Sequence, residues 1–227
     1  MVVAFSRLLH SLSRNFLGAE GAAALAPALA ANGSLTALDL YFNQLNNEGV
    51  SAVCEAIQSN KETKLASLNF GYNGIGPVGA NAVATMVAVT GGLTALDLSS
   101  NNLKDEGVSA VCEAIQSNKE TKLASLNFGE NHIGPVGANA VAAMVAATGS
   151  LTSLDLSQNQ LCGVNFMGGT YTTEGITAIA DALRVNGSLT KMRYVTPELE
   201  PLGSDWTQRS KRDCLCTSLA FASSALV

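Results

Sequence analysis

The sequence predicts an α/β solenoid, with short parallel strands forming one face and α-helices the other. Three observations carry this. The 227-residue chain copies itself: Asn47 to Gly91 and Asp105 to Gly149 are nearly identical and lie 58 residues apart. Inside that period an asparagine recurs every 28 or 30 residues, at Asn15, Asn43, Asn73, Asn101, Asn131 and Asn159. Each of the last five follows a Leu-x-x-Leu-x-Leu run, such as Leu35, Leu38 and Leu40 before Asn43, or Leu65, Leu68 and Phe70 before Asn73. Self-similarity at a period of this length is the mark of stacked supersecondary units.

Each unit reads the same way. The alternation at Leu38-Asp39-Leu40 is a short strand with one face buried. The asparagine after it serves backbone groups of the turn and repeats as a ladder from layer to layer, through Asn43, Asn73, Asn101, Asn131 and Asn159. A glycine follows (Gly49, Gly79, Gly107, Gly137), then a helix. Val50, Val53, Cys54 and Ile57 fall at i, i+3, i+4 and i+7, a single apolar face; Ala80, Val83 and Val87 repeat it in the next unit. One unit cannot bury both its greasy faces, and stacking its neighbours does.

Along the chain the pattern starts weakly. Arg7 and His10 stand where leucine is expected, although Leu12, Asn15, Leu17, Gly21, Leu25 and Leu29 fit. The stretch from Met1 to Arg14 has the Arg and Ser content of a transit peptide and no acid before Glu20, but its alignment with the repeats is the better reading. An open solenoid end exposes apolar surface, so a longer array upstream is expected, with capping by residues 2–12 as the competing arrangement. The sixth unit carries an insertion at 162–172, rich in Gly and bearing Phe166, Met167 and Tyr171. Such insertions map to surface loops that often bind. The last strand is expected at Lys191 to Tyr194, since Pro197 stands where the ladder asparagine should be. Residues 1–194 thus form about six to seven units, and 195–227 a non-repeat tail. That tail either caps the array through Leu199, Leu202 and Trp206 or takes no part in the fold.

Composition narrows the functional classes. The formal net charge is −5 and the pI near 5.0, which argues against nucleic-acid binding and against a polybasic membrane-surface protein. No apolar run reaches the roughly 18 residues of a membrane helix. Cys54 and Cys112 occupy the same place in two copies of one repeat, two layers apart and well beyond the ~7 Å Cα limit of a bridge. Reduced, buried thiols fit a cytoplasmic protein, or a nuclear one.

The Leu-x-x-Leu-x-Leu-x-x-Asn-x-Leu-x-x-x-Gly pattern, with a full helix in each unit, resembles the leucine-rich-repeat family. Units of this length resemble its ribonuclease-inhibitor-like subclass, which includes repeat regions of NOD-like receptors and Ran GTPase-activating proteins. The resemblance covers Leu12 to Tyr194. It implies a horseshoe arc with parallel strands on the concave face and helices on the convex face. It also implies protein binding without naming a partner. Regulation of a small GTPase is an alternative resting on resemblance alone, and no catalytic residue carries over. The near-identity of the two blocks also fits a recently duplicated fragment without an independent role.

The concave face supplies the candidate site. The inward position between the two close leucines reads Asp39, Asn69, Asp97, Asn127, Asp155. With strands ~4.8 Å apart the carboxylates fall roughly 10 Å apart, too wide for paired-carboxylate catalysis or one metal ion. An acidic stripe of that kind suits Lys or Arg of a partner with a basic surface. Neighbouring inward positions are mostly small, and among them only Tyr41, with Tyr72 one position on, is of the type that anchors interfaces.

The other chemical motifs have simpler explanations. Gly74-x-Gly76-x-x-Gly79 with Asp97 downstream outlines a dinucleotide fingerprint. The twin unit reads His132-Ile133-Gly134-Pro135-Val136-Gly137, and Pro77 removes an N–H that a phosphate cradle needs. Zinc bound by Cys162, Cys214, Cys216 and His132 is disfavoured by the Cys-x-Cys spacing. Asn32-Gly33-Ser34 and Asn186-Gly187-Ser188 match a glycosylation acceptor but stand where a helix must turn back into a strand. The sequence therefore predicts a non-catalytic protein-binding scaffold without a cofactor, using its concave face or the inserted loop.

Overall fold

A computed structural model describes residues 12–165 and 168–194. The chain alternates helix and strand: α1 (Gly18–Ala31), β1 (Ala37–Asp39), α2 (Asn46–Ser59), β2 (Ser67–Asn69), α3 (Pro77–Val89), β3 (Ala95–Asp97), α4 (Lys104–Ser117), β4 (Ser125–Asn127), α5 (Pro135–Ala147), β5 (Ser153–Asp155). A short hairpin, β6 (Val164–Asn165) and β7 (Gly168–Gly169), interrupts the rhythm before α6 (Glu174–Val185) and β8 (Lys191–Arg193). The six repeat strands form one parallel sheet in the order β1-β2-β3-β4-β5-β8. Each helix from α1 to α6 packs on the next. This is the α/β arc that the periodicity predicts.

Register is held without slippage. Leu38 pairs with Leu68, Leu68 with Leu96, Leu96 with Leu126, Leu126 with Leu154, and Leu154 with Met192. These central residues point into a core that also buries Leu40, Phe70, Leu98 and Phe128, while helix residues such as Val53, Val83, Val111 and Val141 close it from the other side. A one-residue shift would turn every one of these leucines to solvent. The N-terminal layer joins the same scheme: Leu12 and Arg14 donate backbone hydrogen bonds to Asp39 and Tyr41.

The predicted asparagine ladder is the polar spine. The Asn73 Oδ1 accepts from the N–H groups of Asn43 and Leu45, and its Nδ2 donates to the carbonyls of Leu40, Phe70 and Gly71. Asn43, Asn101 and Asn159 repeat this, and Asn131 does so with one N–H, that of Leu103, on its Oδ1; all are buried. An amide suits the place because it offers an acceptor and a donor together. Asn15 is the first ladder position among the described residues: it gives its own N–H to Asn43, and its exposed side chain donates to the Ser13 carbonyl.

A second amide ladder runs along the helix C-termini. Asn60 Nδ2 donates to the carbonyls of Leu29 and Asn32, Asn118 to Val87 and Thr90, and Asn186 to Val145 and Thr148. These carbonyls are among the last four of the preceding helix, or just past it, and lack intrahelical partners. The turn reading of Asn186-Gly187-Ser188 is thereby explained. The nitrogen that glycosylation would use is already engaged.

Two helix N-termini are capped from a neighbouring helix. Among the described helices no N-cap side chain caps its own helix, although Thr172 Oγ1 accepts from the Glu174 N–H at the start of α6. Instead Asn47 in α2 accepts from the N–H groups of Gly76 and Gly79 at the start of α3, and Asp105 in α4 accepts from Gly134 and Gly137 at the start of α5. A Cβ on Gly137 would lie 2.6 Å from Asp105 Oδ1, so glycine is needed there for close approach. The nucleotide-like motif is explained as well. Its free N–H groups serve a neighbouring helix and are closed to a phosphate.

Candidate binding face

Short strands and tight exits from them shape the open face of the sheet. Asp39, Asn69, Asp97, Asn127 and Asp155 stand side by side on it, in register. Each first serves its own turn. The Oδ1 of each accepts the backbone N–H two residues on, from Tyr41, Gly71, Ser99, Gly129 and Ser157. Short polar side chains do this readily where a strand must turn, and the Asp/Asn pattern at that spacing is the signal for it.

The remaining oxygens differ along the column. Asp97 Oδ2 accepts from Asn127 at 3.2 Å, and Asp155 Oδ2 stands 3.4 Å from the Arg193 guanidinium. The stripe is therefore less open to an outside cation than its sequence suggests. At its C-terminal end the chain supplies its own arginine, on the sixth strand.

At the other end lies an aromatic cluster that sequence reading finds only in part. Phe42 and Tyr72 are stacked, ring centroids 4.6 Å apart. Phe16 meets Phe42 edge-on at 5.8 Å, and Tyr41 lies 6.2 Å from both Phe42 and Tyr72. The Arg14 guanidinium carbon sits 5.8 Å over the Tyr41 ring. Phe16 is 63% exposed and Tyr72 50%. The signal for Arg14 and Phe42 is the column one position before each ladder asparagine, while Phe16 lies outside it. That column reads Arg14, Phe42, Tyr72, Ser100, Glu130, Gln158, and every member has φ between 53° and 60°. The repeat imposes this left-handed turn, at a cost of roughly 1–2 kcal/mol for a residue with a Cβ. Stacking returns about 0.5–1.5 kcal/mol for a pair. Ser100, Glu130 and Gln158 carry the same cost, so the turn does not select the rings.

The inserted segment forms the β6–β7 hairpin, with Val164 opposite Gly169 and Asn165 opposite Gly168. Phe166 and Met167 lie outside the described residues, as do the tail residues Leu199, Leu202, Trp206, Cys214 and Cys216. Tyr171 is half-buried beside the hairpin. The thiols of Cys54 and Cys112 are free and buried. Burial, and then the adjacent Glu55 and Glu113, push both far above the ordinary thiol range. Cys162 departs from the expectation of reduced thiols: it is disulfide-bonded. It stands in the inserted segment, where the helical periodicity that places Cys54 and Cys112 does not apply. Among the described residues no three His, Cys, Asp or Glu side chains stand together as a metal site requires.

Comparison with known proteins agrees with this architecture. A family model described as "Leucine Rich repeat" matches residues 31–54, 61–84, 93–112 and 119–142, and a second, "Leucine Rich Repeat", matches 150–168. NACHT, LRR and PYD domains-containing protein 13 of Homo sapiens is 29% identical over 168 residues, 74% of this chain and 15% of that protein. The ribonuclease inhibitor of Mus musculus is 32% identical over 145 residues, 64% of this chain and 31% of that protein. The chain thus spans less than a third of the length of these curated relatives. Among solved structures, leiomodin-1 actin-binding site 2 aligns over 91% of this chain and 90% of its own, at 18% identity and a TM-score of 0.46.

Proposed function

The chain belongs to the leucine-rich-repeat family, and from that premise we propose that it is a binding module holding a partner protein against the open face of its sheet. Repeats of this family generally bind proteins. The observation that carries the reading here is the cluster of Phe16, Tyr41, Phe42 and Tyr72 at one end of that face, in which Phe16 and Tyr72 are exposed and Tyr41 and Phe42 half-buried. Aromatic side chains open to solvent are usual anchors of interfaces, and among the described residues the large apolar side chains exposed on the helices are valines. Beside the cluster stands Asp39, followed along the column by Asp97 and Asp155, which favours a partner with a basic surface.

The test is partner capture from a native extract with the tagged full chain, followed by mass spectrometry. Two variants accompany the wild type. One carries Asp39→Lys, Asp97→Lys and Asp155→Lys. The other carries Phe42→Ser and Tyr72→Ser, the residue type found in the fourth layer. Proteins recovered by the wild type and lost from both variants, with circular dichroism unchanged, support the concave face. Equal recovery by all three overturns it. Retention by both, with loss on Phe166→Ser and Met167→Ser, transfers binding to the inserted segment.

A further inference from the structure

We propose that the rim of the open face between Tyr72 and Glu130 is a seat for an arginine side chain of the partner protein. The inference rests on the concave-face reading and adds the chemistry of the occupant.

The two nearly identical blocks of the chain serve as an internal comparison. Over 45 positions they differ at five pairs: Asn47 and Asp105, Tyr72 and Glu130, Gly74 and His132, Thr85 and Ala143, Val89 and Ala147. None of these residues is buried, and in four of the pairs both members are exposed. The core is copied while the surface has changed. Two of the pairs fall on the same rim, and one of those, Tyr72 and Glu130, faces across a single intervening layer.

The geometry of that gap is specific. Tyr72 donates its backbone N–H to Ser99, Ser100 to Gly129, and Glu130 to Ser157, so Tyr72, Ser100 and Glu130 occupy consecutive layers of one column. At ~4.8 Å per layer their outer members stand roughly 10 Å apart along the sheet. Ser100 fills little of the space between. Its hydroxyl donates to Glu130 Oε2 at 3.0 Å, which draws the carboxylate one layer toward Tyr72. Phe42, in the preceding layer, stacks on one face of the Tyr72 ring, and Tyr72 is still 50% exposed. A slot of this kind has an aromatic wall, a small polar floor and a carboxylate at the far side.

A guanidinium fits it better than the alternatives. It is flat, stacks on an aromatic face, and donates in its own plane to a carboxylate. An ammonium lacks the plane, and an acidic group would meet Glu130 and Asp97. The chain already makes half of this contact with its own residues. Arg14, two layers before Tyr72 in the same column, holds its guanidinium over the Tyr41 ring.

The test uses the isotope-labelled full chain and an acetylated Gly-Ser-Gly-Arg-Gly-Ser-Gly amide peptide, followed by NMR. The seat predicts saturable amide shifts centred on Tyr72, Ser100 and Glu130. The Lys peptide should bind about threefold more weakly, and the neutral citrulline peptide should leave those amides unmoved. Tyr72→Asn, in which the new residue tolerates the left-handed turn, and Glu130→Gln should each weaken the arginine peptide by about threefold or more. Silent amides at these positions, or equal shifts with citrulline, overturn the proposal. If that happens while the Asp→Lys variant still loses its partner, the arginine seat falls and the concave-face reading stands.

Discussion

Replacing Asn73 with alanine tests whether the asparagine ladder, and not leucine burial alone, holds the layers in register. The side chain is 1% exposed and makes five hydrogen bonds. Its removal does not strand all five partners. The Leu40 carbonyl keeps a bond from Asn43 Nδ2, the Phe70 carbonyl keeps one from Asn101 Nδ2, and the Gly71 carbonyl keeps one from the Phe42 N–H. The two N–H groups of Asn43 and Leu45 lose their acceptor. An unsatisfied buried polar group costs about 1–3 kcal/mol, so the pair costs roughly 4 kcal/mol, a large part of a domain stability of ~5–15 kcal/mol. With a urea slope of about 2 kcal/mol/M, the unfolding midpoint of the full chain should fall by about 2 M. The control is Asn15→Ala, whose side chain is exposed and donates to the Ser13 carbonyl; it should cost under about 1 kcal/mol. Far-UV circular dichroism against urea reads both. A midpoint for Asn73→Ala within about 0.3 M of the Asn15→Ala control would refute the reasoning.

Two further outcomes follow from other parts of the fold. Cys54 and Cys112 keep their protons in the folded chain but ionise once unfolded near the ordinary thiol pKa of about 8.5. Their contribution is therefore complete below that pH and is lost as the pH rises through it. The loss should total roughly 2 kcal/mol for the pair between about pH 8.5 and 9.5, in urea titrations of the wild type and not of a Cys54→Ala, Cys112→Ala chain. Gly137→Ala forces a Cβ to 2.6 Å from Asp105 Oδ1 and 2.7 Å from Ile133 Cγ2, and should cost about 2–3 kcal/mol. Gly149→Ala meets nothing within 4 Å and should leave the melting temperature unchanged or slightly raised. A matching loss at both glycines would contradict the packing argument.

The fold was legible because its driving forces are local and periodic. Leu38 and Leu40, with Asp39 between them, state the strand and its buried face in three residues. Asn43 states the turn. Repetition then supplies the long-range information that one sequence usually lacks, since the partner of any residue is its own equivalent 28 or 30 positions away. What was less legible are the contacts between unlike positions of adjacent units. Asn47 caps α3 and Asp105 caps α5 from 29 and 32 residues upstream. Asn60 closes the C-terminal end of α1 from 31 residues downstream of its acceptor. Neither position looks like a cap in its own helix, because the orphan groups it satisfies belong to a neighbour. The hairpin at 164–169 was legible only as an insertion, since Gly168 and Gly169 carry no alternation from which to read a strand.

The binding face divides along the same physical line. Its acidic column was visible in the sequence because strand residues alternate, so the position between two buried leucines must face outward. That placement says where a carboxylate points and nothing about what it already holds. Asp155 meets Arg193 only because β8 returns to the sheet after an insertion, and Asp97 meets Asn127 because consecutive strands are parallel and in register. The aromatic cluster is the converse case. Tyr41 and Tyr72 attract notice as residue types, but Phe16 and Phe42 read as spare apolar residues until the turn geometry is known. At φ near 52° and 54° neither ring is directed into the core, and each is left to pack on the others. A solenoid fixes its core by repeating one pattern, so its individuality lies where the pattern leaves the side chain free. Here that place is the rim beyond each strand, where one unit carries Tyr72 and its near-identical twin carries Glu130.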